Sequence, residues 1–296
     1  MNNGIVLAFL AYAIFAWGDA LVKSMGGELP VFEIAFFVTI FAAVPILLTK
    51  HGNERWLEFW RMKRPAAVHL RAASGVTAGM LGVYAFTTIP FAEAYALIFL
   101  SPLLVTVLSM LMLKEDVGPW RWFAVFAGLA GVLLVVRPGF RELQIGHFAA
   151  VGVALLAALT IILLRSLAGQ EKRTTLLGTM IVYGLVINGI AMVATGFTVP
   201  DASQLARLAT AGVLAGVGQF ALLAATKITP ANQIAPTHYS QIAWAVLIGA
   251  LFFDEYPDVF AIAGLVALAA AGLLTVIRER IRLGAARWNP FLRNRL

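Results

Sequence analysis

Long apolar stretches dominate this chain and constrain its fold more than any other feature of the sequence. A stretch of about 20 apolar residues is long enough to cross the hydrocarbon core of a bilayer as a helix. Ten such stretches lie among the 296 residues, of which 61% are hydrophobic and 12% are charged. A lipid-exposed backbone must satisfy its own hydrogen bonds, so we predict an all-α integral membrane protein. The predicted transmembrane helices cover 4–22, 31–49, 67–89, 91–113, 119–136, 146–167, 175–195, 205–226, 231–253 and 257–277.

The distribution of Lys and Arg between alternate loops predicts the orientation of these helices. If the amino terminus is cytoplasmic, 18 of the 22 Lys and Arg residues fall on the inner side and 4 on the outer side. Because loops rich in Lys and Arg stay in the cytoplasm, this distribution places both termini there. The first stretch could also be a signal peptide, but no Lys or Arg precedes it and nine further stretches follow. We therefore interpret it as a retained helix.

An internal repeat divides the chain into two halves. Pro90 and Glu115 bracket the fourth stretch, and Pro230 and Glu255 bracket the ninth with the same interval of 25 residues. Each half then holds five helices, and because five is an odd number the second half enters the membrane from the opposite side. We therefore predict two inverted-topology repeats around a central cavity that opens to each side in turn.

A spaced motif of proline, alanine, glutamate and glycine runs through the fourth and fifth stretches. Its members are Pro90, Ala92, Ala94, Pro102, Glu115, Trp120, Gly128, Gly131 and Val132. This motif and its weaker second copy resemble the drug/metabolite transporter superfamily, specifically its EamA-type exporters. The resemblance implies repeats over 1–138 and 144–282 and a ten-helix basket whose cavity is lined by helices one, three, four, six, eight and nine. Residues 283–296 have no core-forming pattern, and we expect them to form a cytoplasmic tail. The nearest likeness, to bacterial exporters of aromatic amino acids, implies a multi-pass protein of the bacterial inner membrane.

Polar and aromatic residues at helical spacing are candidates for lining the cavity. In the ninth stretch, Thr237, Gln241 and Trp244 share one face, and His238 lies beside it. Some of the aromatic candidates could instead form interfacial belts, and the glycine could serve helix packing. The remaining candidates, from the first, third, fourth and eighth stretches, are Trp17, Gly79, Tyr84, Tyr95, Phe99 and Gln219.

Prolines and one histidine stand out inside the predicted helices. Pro102 and Pro236 each remove a backbone N–H, so they are candidate helix breaks for gating, with a simple kink as the alternative. Pro102 aligns with Ile242 in the second copy, so the two broken helices need not bend at matching depths. His238 is the ionisable residue that lies well inside a stretch, and it either couples transport to protons or packs as a neutral side chain.

A cavity with amide and aromatic groups but almost no charge suits a planar, mostly apolar zwitterion. We therefore predict a secondary transporter that exports amino acids, with aromatic or other hydrophobic ones favoured, by alternating access. Transport of a drug-like compound, a phosphorylated sugar or a nucleotide sugar is the alternative, and the sugars would require paired Lys or Arg in the cavity.

A non-transport membrane protein or an intramembrane enzyme is the alternative from another class. An enzyme requires a nucleophile, a base or a metal cluster at one depth, and the sequence offers neither a cysteine nor such a cluster. We expect no catalytic residue, no cofactor and no metal. The expected partners are the small-molecule substrate and the lipid bilayer, with no nucleic acid and no obligate protein partner.

Overall fold

The computed structural model describes residues 3–48, 55–114, 119–137, 142–167, 169–229 and 234–288, and over these ranges it is helical without a β-strand. Two short 3₁₀ helices, Trp56–Glu58 and Ala235–Tyr239, precede α3 and α10 respectively. The α-helices are α1 (Asn3–Ser24), α2 (Val31–Leu48), α3 (Pro65–Thr88), α4 (Phe91–Ile98), α5 (Ser101–Leu113), α6 (Pro119–Val136), α7 (Ile145–Leu167), α8 (Arg173–Thr195), α9 (Ala202–Ile228), α10 (Ser240–Phe252) and α11 (Val259–Trp288).

Every predicted stretch contains helix, which confirms the all-α membrane fold. Within the described ranges, length and composition identify six helices able to cross a membrane, and two shorter apolar helices cover 122–136 and 259–274. The full set of ten spans in two repeats stays a prediction. α11 continues to Trp288, past its predicted end and into the expected tail, while residues 289–296 lie outside the described part. The six spans are Asn3–Ser24, Val31–Leu48, Phe91–Met112, Ile145–Leu167, Arg173–Thr195 and Ala202–Ala225.

The fourth and ninth stretches are both interrupted. α4 ends at Ile98 and α5 begins at Ser101, with Pro102 as its second residue, because Pro102 has no N–H to donate to the carbonyl of Ile98. In the ninth stretch, the 3₁₀ helix that contains Pro236 gives way to α10 at Ser240. At the repeat offset of 140 residues, the two interruptions fall within one position of each other although the prolines do not align.

The apolar core is continuous at one end of the helices and divided at the other. At the end predicted to face outward, buried side chains from nine of the described α-helices form one cluster, which includes Phe91, Ile248 and Leu268. Toward the opposite end, Ala8, Ala225 and Ile234 form a separate small cluster. A second one, built from Val68, Leu167 and Leu176, joins α3, α7 and α8. The helices are therefore sealed together at the predicted outer end.

Two glycines face each other where α6 crosses α11. Gly131 on α6 faces Gly264 on α11, and a Cβ built on Gly131 would lie 2.7 Å from the Gly264 carbonyl oxygen and 2.9 Å from the Leu268 nitrogen. Because those atoms belong to the backbone, the neighbour has no side chain that can move away. α6 and α11, the last helices of the two predicted repeats, can pack this closely only with glycine at the crossing.

Candidate functional site

The two helix interruptions bring an aromatic layer together. Phe99 directly follows the end of α4. Its ring centroid lies 4.7 Å from that of His238 and 5.3 Å from that of Tyr239, both on the 3₁₀ helix. Tyr12 of α1 also stacks on His238, with 4.7 Å between centroids and 28° between ring planes. Tyr95, one turn before Phe99, extends the layer at 6.3 Å. Residues from three parts of the chain thus form one layer of stacked and tilted rings.

A chain of hydrogen bonds borders this layer. The Tyr95 hydroxyl donates to Asp19 Oδ2 at 2.6 Å, and Gln241 Nε2 donates to the Tyr95 oxygen at 3.4 Å. Tyr95 and Gln241 are 3% and 6% exposed, so both polar groups depend on one another rather than on solvent. α1, α4 and α10 are joined here through side chains that can bind a polar or charged group.

The structure brings together part of the predicted site. Tyr95, Phe99, His238 and Gln241 meet as described above, and two further candidates, Tyr84 and Trp244, pack half-buried against the same apolar core. Thr237 is buried, but its hydroxyl donates to the Ile234 carbonyl at 2.6 Å and so stabilises its own turn.

Other predicted residues lie elsewhere. Trp17 is 40% exposed and meets the ring of Phe252 edge-on at 5.4 Å, and Gln219 is exposed. Gly79 faces open space, since no atom lies within 4 Å of a Cβ built on it. Pro102 is half-buried at the start of α5, and Pro236 lies in the 3₁₀ helix.

Sequence reasoning missed three acidic residues with specific partners. These residues are Asp19, Glu93 and Glu255. The Glu93 carboxylate lies 2.9 Å from His147 Nε2, and both side chains are about one-tenth exposed, at 10% and 9%. Placing each carboxylate by its depth from the nearest helix end would have identified Asp19, which lies five residues, or about 7.5 Å at 1.5 Å per residue, before the end of α1.

Ion pairs join the loops at both ends of the molecule. Arg207 pairs with Glu28 at the predicted outer end, and its hydrogen bond lowers the pKa of the Glu28 carboxyl. At the other end Lys172 Nζ lies 2.9 Å from Glu58 Oε2, and this hydrogen bond lowers the Glu58 pKa. These pairs are exposed, so each contributes little to stability.

The site therefore offers aromatic rings, three of which are phenols, together with one imidazole, one amide and one carboxylate. Such groups can bind an aromatic, polar small molecule without bond-making chemistry. Within the described ranges, no three His, Asp or Glu side chains come together as a metal-binding group.

Comparison with known proteins gives one family and several transporters. The model of the EamA-like transporter family matches residues 2–137 and 144–277. A riboflavin transporter of Rhizobium johnstonii is 32% identical over 71% of this chain and 68% of its own length. The pseudopaline exporter CntI of Pseudomonas aeruginosa is 28% identical over 92% of this chain and 95% of its own length. An S-adenosylmethionine uptake transporter of Rickettsia prowazekii is 25% identical over 94% of each chain.

Proposed function

Because this chain belongs to the EamA-like transporter family, we propose that it exports amino acids with aromatic or other hydrophobic side chains across a membrane by alternating access. Family membership establishes the coarser statement, that the protein is a membrane transporter of small molecules. Its named relatives are transporters, which supports a function without catalysis. Substrate class, direction and transport cycle are the parts that we propose.

The aromatic layer is the observation that carries the substrate class. Phe99, His238 and Tyr12 are spaced for ring stacking, with centroids 4.7 Å apart at both contacts. A planar side chain entering from the divided end of the helices would find these rings together with the Gln241 amide and the Asp19 carboxylate. Aromatic pairs contribute about 0.5–1.5 kcal/mol beyond the area that they bury, so a few ring contacts distinguish aromatic from small aliphatic substrates.

The uneven core supports alternating access. One end of the helices is sealed by a continuous apolar cluster, whereas at the other end two separate clusters hold two groups of helices. A transporter that is closed on one side and divided on the other is in an inward-facing state if the positive-inside orientation holds. The outward-facing state would then require the Phe91 region to separate and the two small clusters to approach one another.

The orientation itself is a proposal that topology reporters can test. The loop charges support both termini in the cytoplasm, and the bacterial relatives support the bacterial inner membrane. If the reporter is active only in the cytoplasm, its fusions at residues 1 and 296 should both be active. A reporter inserted between Gly26 and Gly27 should give the opposite result, and equal results at all three sites would refute the topology.

Riboflavin is the second candidate substrate, favoured by the 32% identical relative. Its fused ring system is planar and would stack on the same aromatic layer. Phosphorylated sugars are less favoured, because no Lys or Arg takes part in the layer or its hydrogen-bond chain within the described residues. Aromatic amino acids and riboflavin differ in charge and size, so one transport assay can distinguish them.

The test is uptake of labelled compounds by purified protein in liposomes, with phenylalanine, tryptophan, alanine and riboflavin compared side by side. We expect faster uptake of the aromatic amino acids than of alanine, and about a tenfold loss in Phe99→Ala, equal to about 1.4 kcal/mol. Phe197→Ala is the matched control because Phe197 is 51% exposed and lies outside the aromatic layer. Transport of riboflavin alone would support the second candidate. Absence of amino acid transport by folded protein would refute the first.

A further inference from the structure

Asp19 is a carboxylate that the fold orients but does not neutralise. Its Oδ2 accepts the Tyr95 hydroxyl at 2.6 Å, and Tyr95 in turn accepts from Gln241. Within the described part of the chain, Oδ1 makes no hydrogen bond and neither oxygen makes an ion pair. The side chain is half-buried in α1, inside a helix able to cross a membrane. One oxygen is thus held in place while the other has no hydrogen-bond partner among the described residues.

The nearest candidate for a balancing charge is already engaged. Lys23 lies one helical turn after Asp19, but its Nζ forms an ion pair with Glu255 Oε1 at 2.8 Å and donates to the Ile89 carbonyl at 2.9 Å. The titratable groups on α1 and on the elements packed against it or bonded to Asp19 are Tyr12, Lys23, His69, Arg71, Tyr84, Glu93, Tyr95, Arg207, Lys227, His238, Tyr239 and Glu255.

An unpaired carboxylate within a membrane is costly, and the cost falls when one positive charge arrives. The surroundings favour a cation that carries an aromatic group. The rings of Phe91 and Phe86 lie 5.0 Å and 5.3 Å from Tyr95, and Phe99 follows at 6.3 Å. Ring faces attract cations, so a ligand ammonium within about 6 Å of a ring centroid is stabilised.

We propose that Asp19 binds the ammonium group of an aromatic amine, and that a proton occupies the same carboxylate when no amine is bound. The substrate class is therefore aromatic molecules with a protonated amine, which include aromatic amino acids, and this inference rests on the proposed function. When the ammonium arrives, the carboxyl proton leaves Asp19 for water, and no bond within the substrate changes. Tyr95 is a positioning residue, since its hydroxyl fixes the carboxylate.

The test is binding of 2-phenylethylamine and 3-phenylpropionate to the purified full-length protein, measured by isothermal titration calorimetry between pH 5 and pH 9. The two probes share a ring and differ in the charged group. We expect wild-type protein to bind the amine more tightly than the acid. The amine affinity should fall up to tenfold for each unit by which the pH decreases, because protons compete for the carboxylate. Asp19→Asn should weaken amine binding at least tenfold and abolish this pH dependence.

A matched control uses the same substitution at Asp201. That residue caps the start of α9, where its Oδ1 accepts the Gln204 N–H at 2.8 Å, and Asn can accept the same bond. Asp201→Asn should bind the amine like wild type. Tyr95→Phe removes the hydroxyl and should reduce amine affinity several-fold with an altered pH profile, so it carries the test if Asp19→Asn does not fold.

The outcomes separate this inference from the proposed function. Wild-type-like amine binding and pH profile in Asp19→Asn, or no amine binding by wild-type protein, would overturn the inference. If wild-type liposomes transport aromatic amino acids while Asp19→Asn transports them equally well, only the inference fails. If they transport no amino acid but the amine binds in an Asp19-dependent manner, only the proposed function fails.

Discussion

Lys23 Nζ lies 2.8 Å from Glu255 Oε1 and ties the end of α1 to the loop after α10. The second Glu255 oxygen accepts the Phe91 N–H at 2.7 Å, and Lys23 also donates to the Ile89 carbonyl. The pair therefore holds the junction between α3 and α4 as well. It lies at the sealed end of the core, and with side chains only 10% and 24% exposed it is shielded from screening by salt.

Removing one member of this pair should cost more than removing both. Lys23→Met leaves a carboxylate without its cation, and Glu255→Gln leaves an ammonium against two carbonyls. We expect a coupling free energy of about 1–3 kcal/mol in a double-mutant cycle. Unfolding midpoints of wild type, the two single variants and the double variant, measured in detergent, give this coupling free energy. Additive effects of the two substitutions would contradict a direct interaction.

Weakening the same pair should also open the sealed end. The chain has no cysteine, so one introduced cysteine reports access to a membrane-impermeant maleimide. Ala20 is 7% exposed in the sealed core, and Ala20→Cys should react about tenfold faster when combined with Glu255→Gln, a shift of about 1.4 kcal/mol toward the open state. Ala8→Cys, at the opposite end of α1, should not accelerate. Equal labelling rates at Ala20→Cys with and without Glu255→Gln would show that the pair is not a gate.

His147 should stabilise the fold through its contact with Glu93. The His147 Nε2 lies 2.9 Å from Glu93 Oε2, and both side chains are buried. His147→Ala removes a buried, charge-assisted hydrogen bond and should destabilise the protein by about 1–3 kcal/mol. His69→Ala is the control, because His69 is exposed, and the two variants should differ clearly in unfolding midpoint.

Gly131→Ala should separate α6 from α11. The new methyl group would meet the Gly264 carbonyl and the Leu268 backbone, and overpacking of this kind costs about 1–3 kcal/mol. At Gly79 the same substitution meets no atom within 4 Å, so Gly79→Ala should be neutral or stabilising, as expected for alanine in a helix. Thermal unfolding of both variants provides the comparison, and equal midpoints would refute the close contact.

The exposed Glu58–Lys172 pair should give a small pH-dependent stabilisation. Its hydrogen bond lowers the Glu58 pKa in the folded protein, so the pair stabilises the fold above the ordinary Glu pKa of about 4.3 and loses this effect as pH falls through the lowered value. Glu58→Gln should therefore unfold at a lower temperature than wild type at pH 7, with the difference vanishing in acid. High salt at pH 7 should shrink the same difference, because both side chains are accessible to ions.

Helix positions followed closely from the sequence because a helix in lipid satisfies its own backbone hydrogen bonds locally. The prediction for 119–136 coincides with α6, and that for 31–49 begins at the same residue as α2. The positions of the two helix interruptions were harder to predict from the sequence. Pro102 and Pro236 each indicated an interruption, but the two prolines do not align, so the residue at which α10 begins depends on tertiary packing.

The candidate site was predicted only where its residues share a local pattern. Gln241 was predicted from helical spacing, with His238 beside the same face, and Tyr95 and Phe99 were predicted from their own helical spacing. Trp17 and Gln219 are residues of the same kinds, yet both are exposed. Lipid is as apolar as the protein interior, so hydrophobic periodicity does not reveal which side of such a helix faces inward.

The sequence by itself determined an all-α membrane protein and the approximate ends of its helices, because both depend on apolar length and local hydrogen bonding. Only the tertiary structure decided that Asp19 meets Tyr95, 76 positions away, while Lys23 turns to Glu255. These partners depend on the rotation of each helix about its axis and on helix-to-helix contacts. Neither is encoded in a hydrophobic pattern that is nearly the same on every face of a helix.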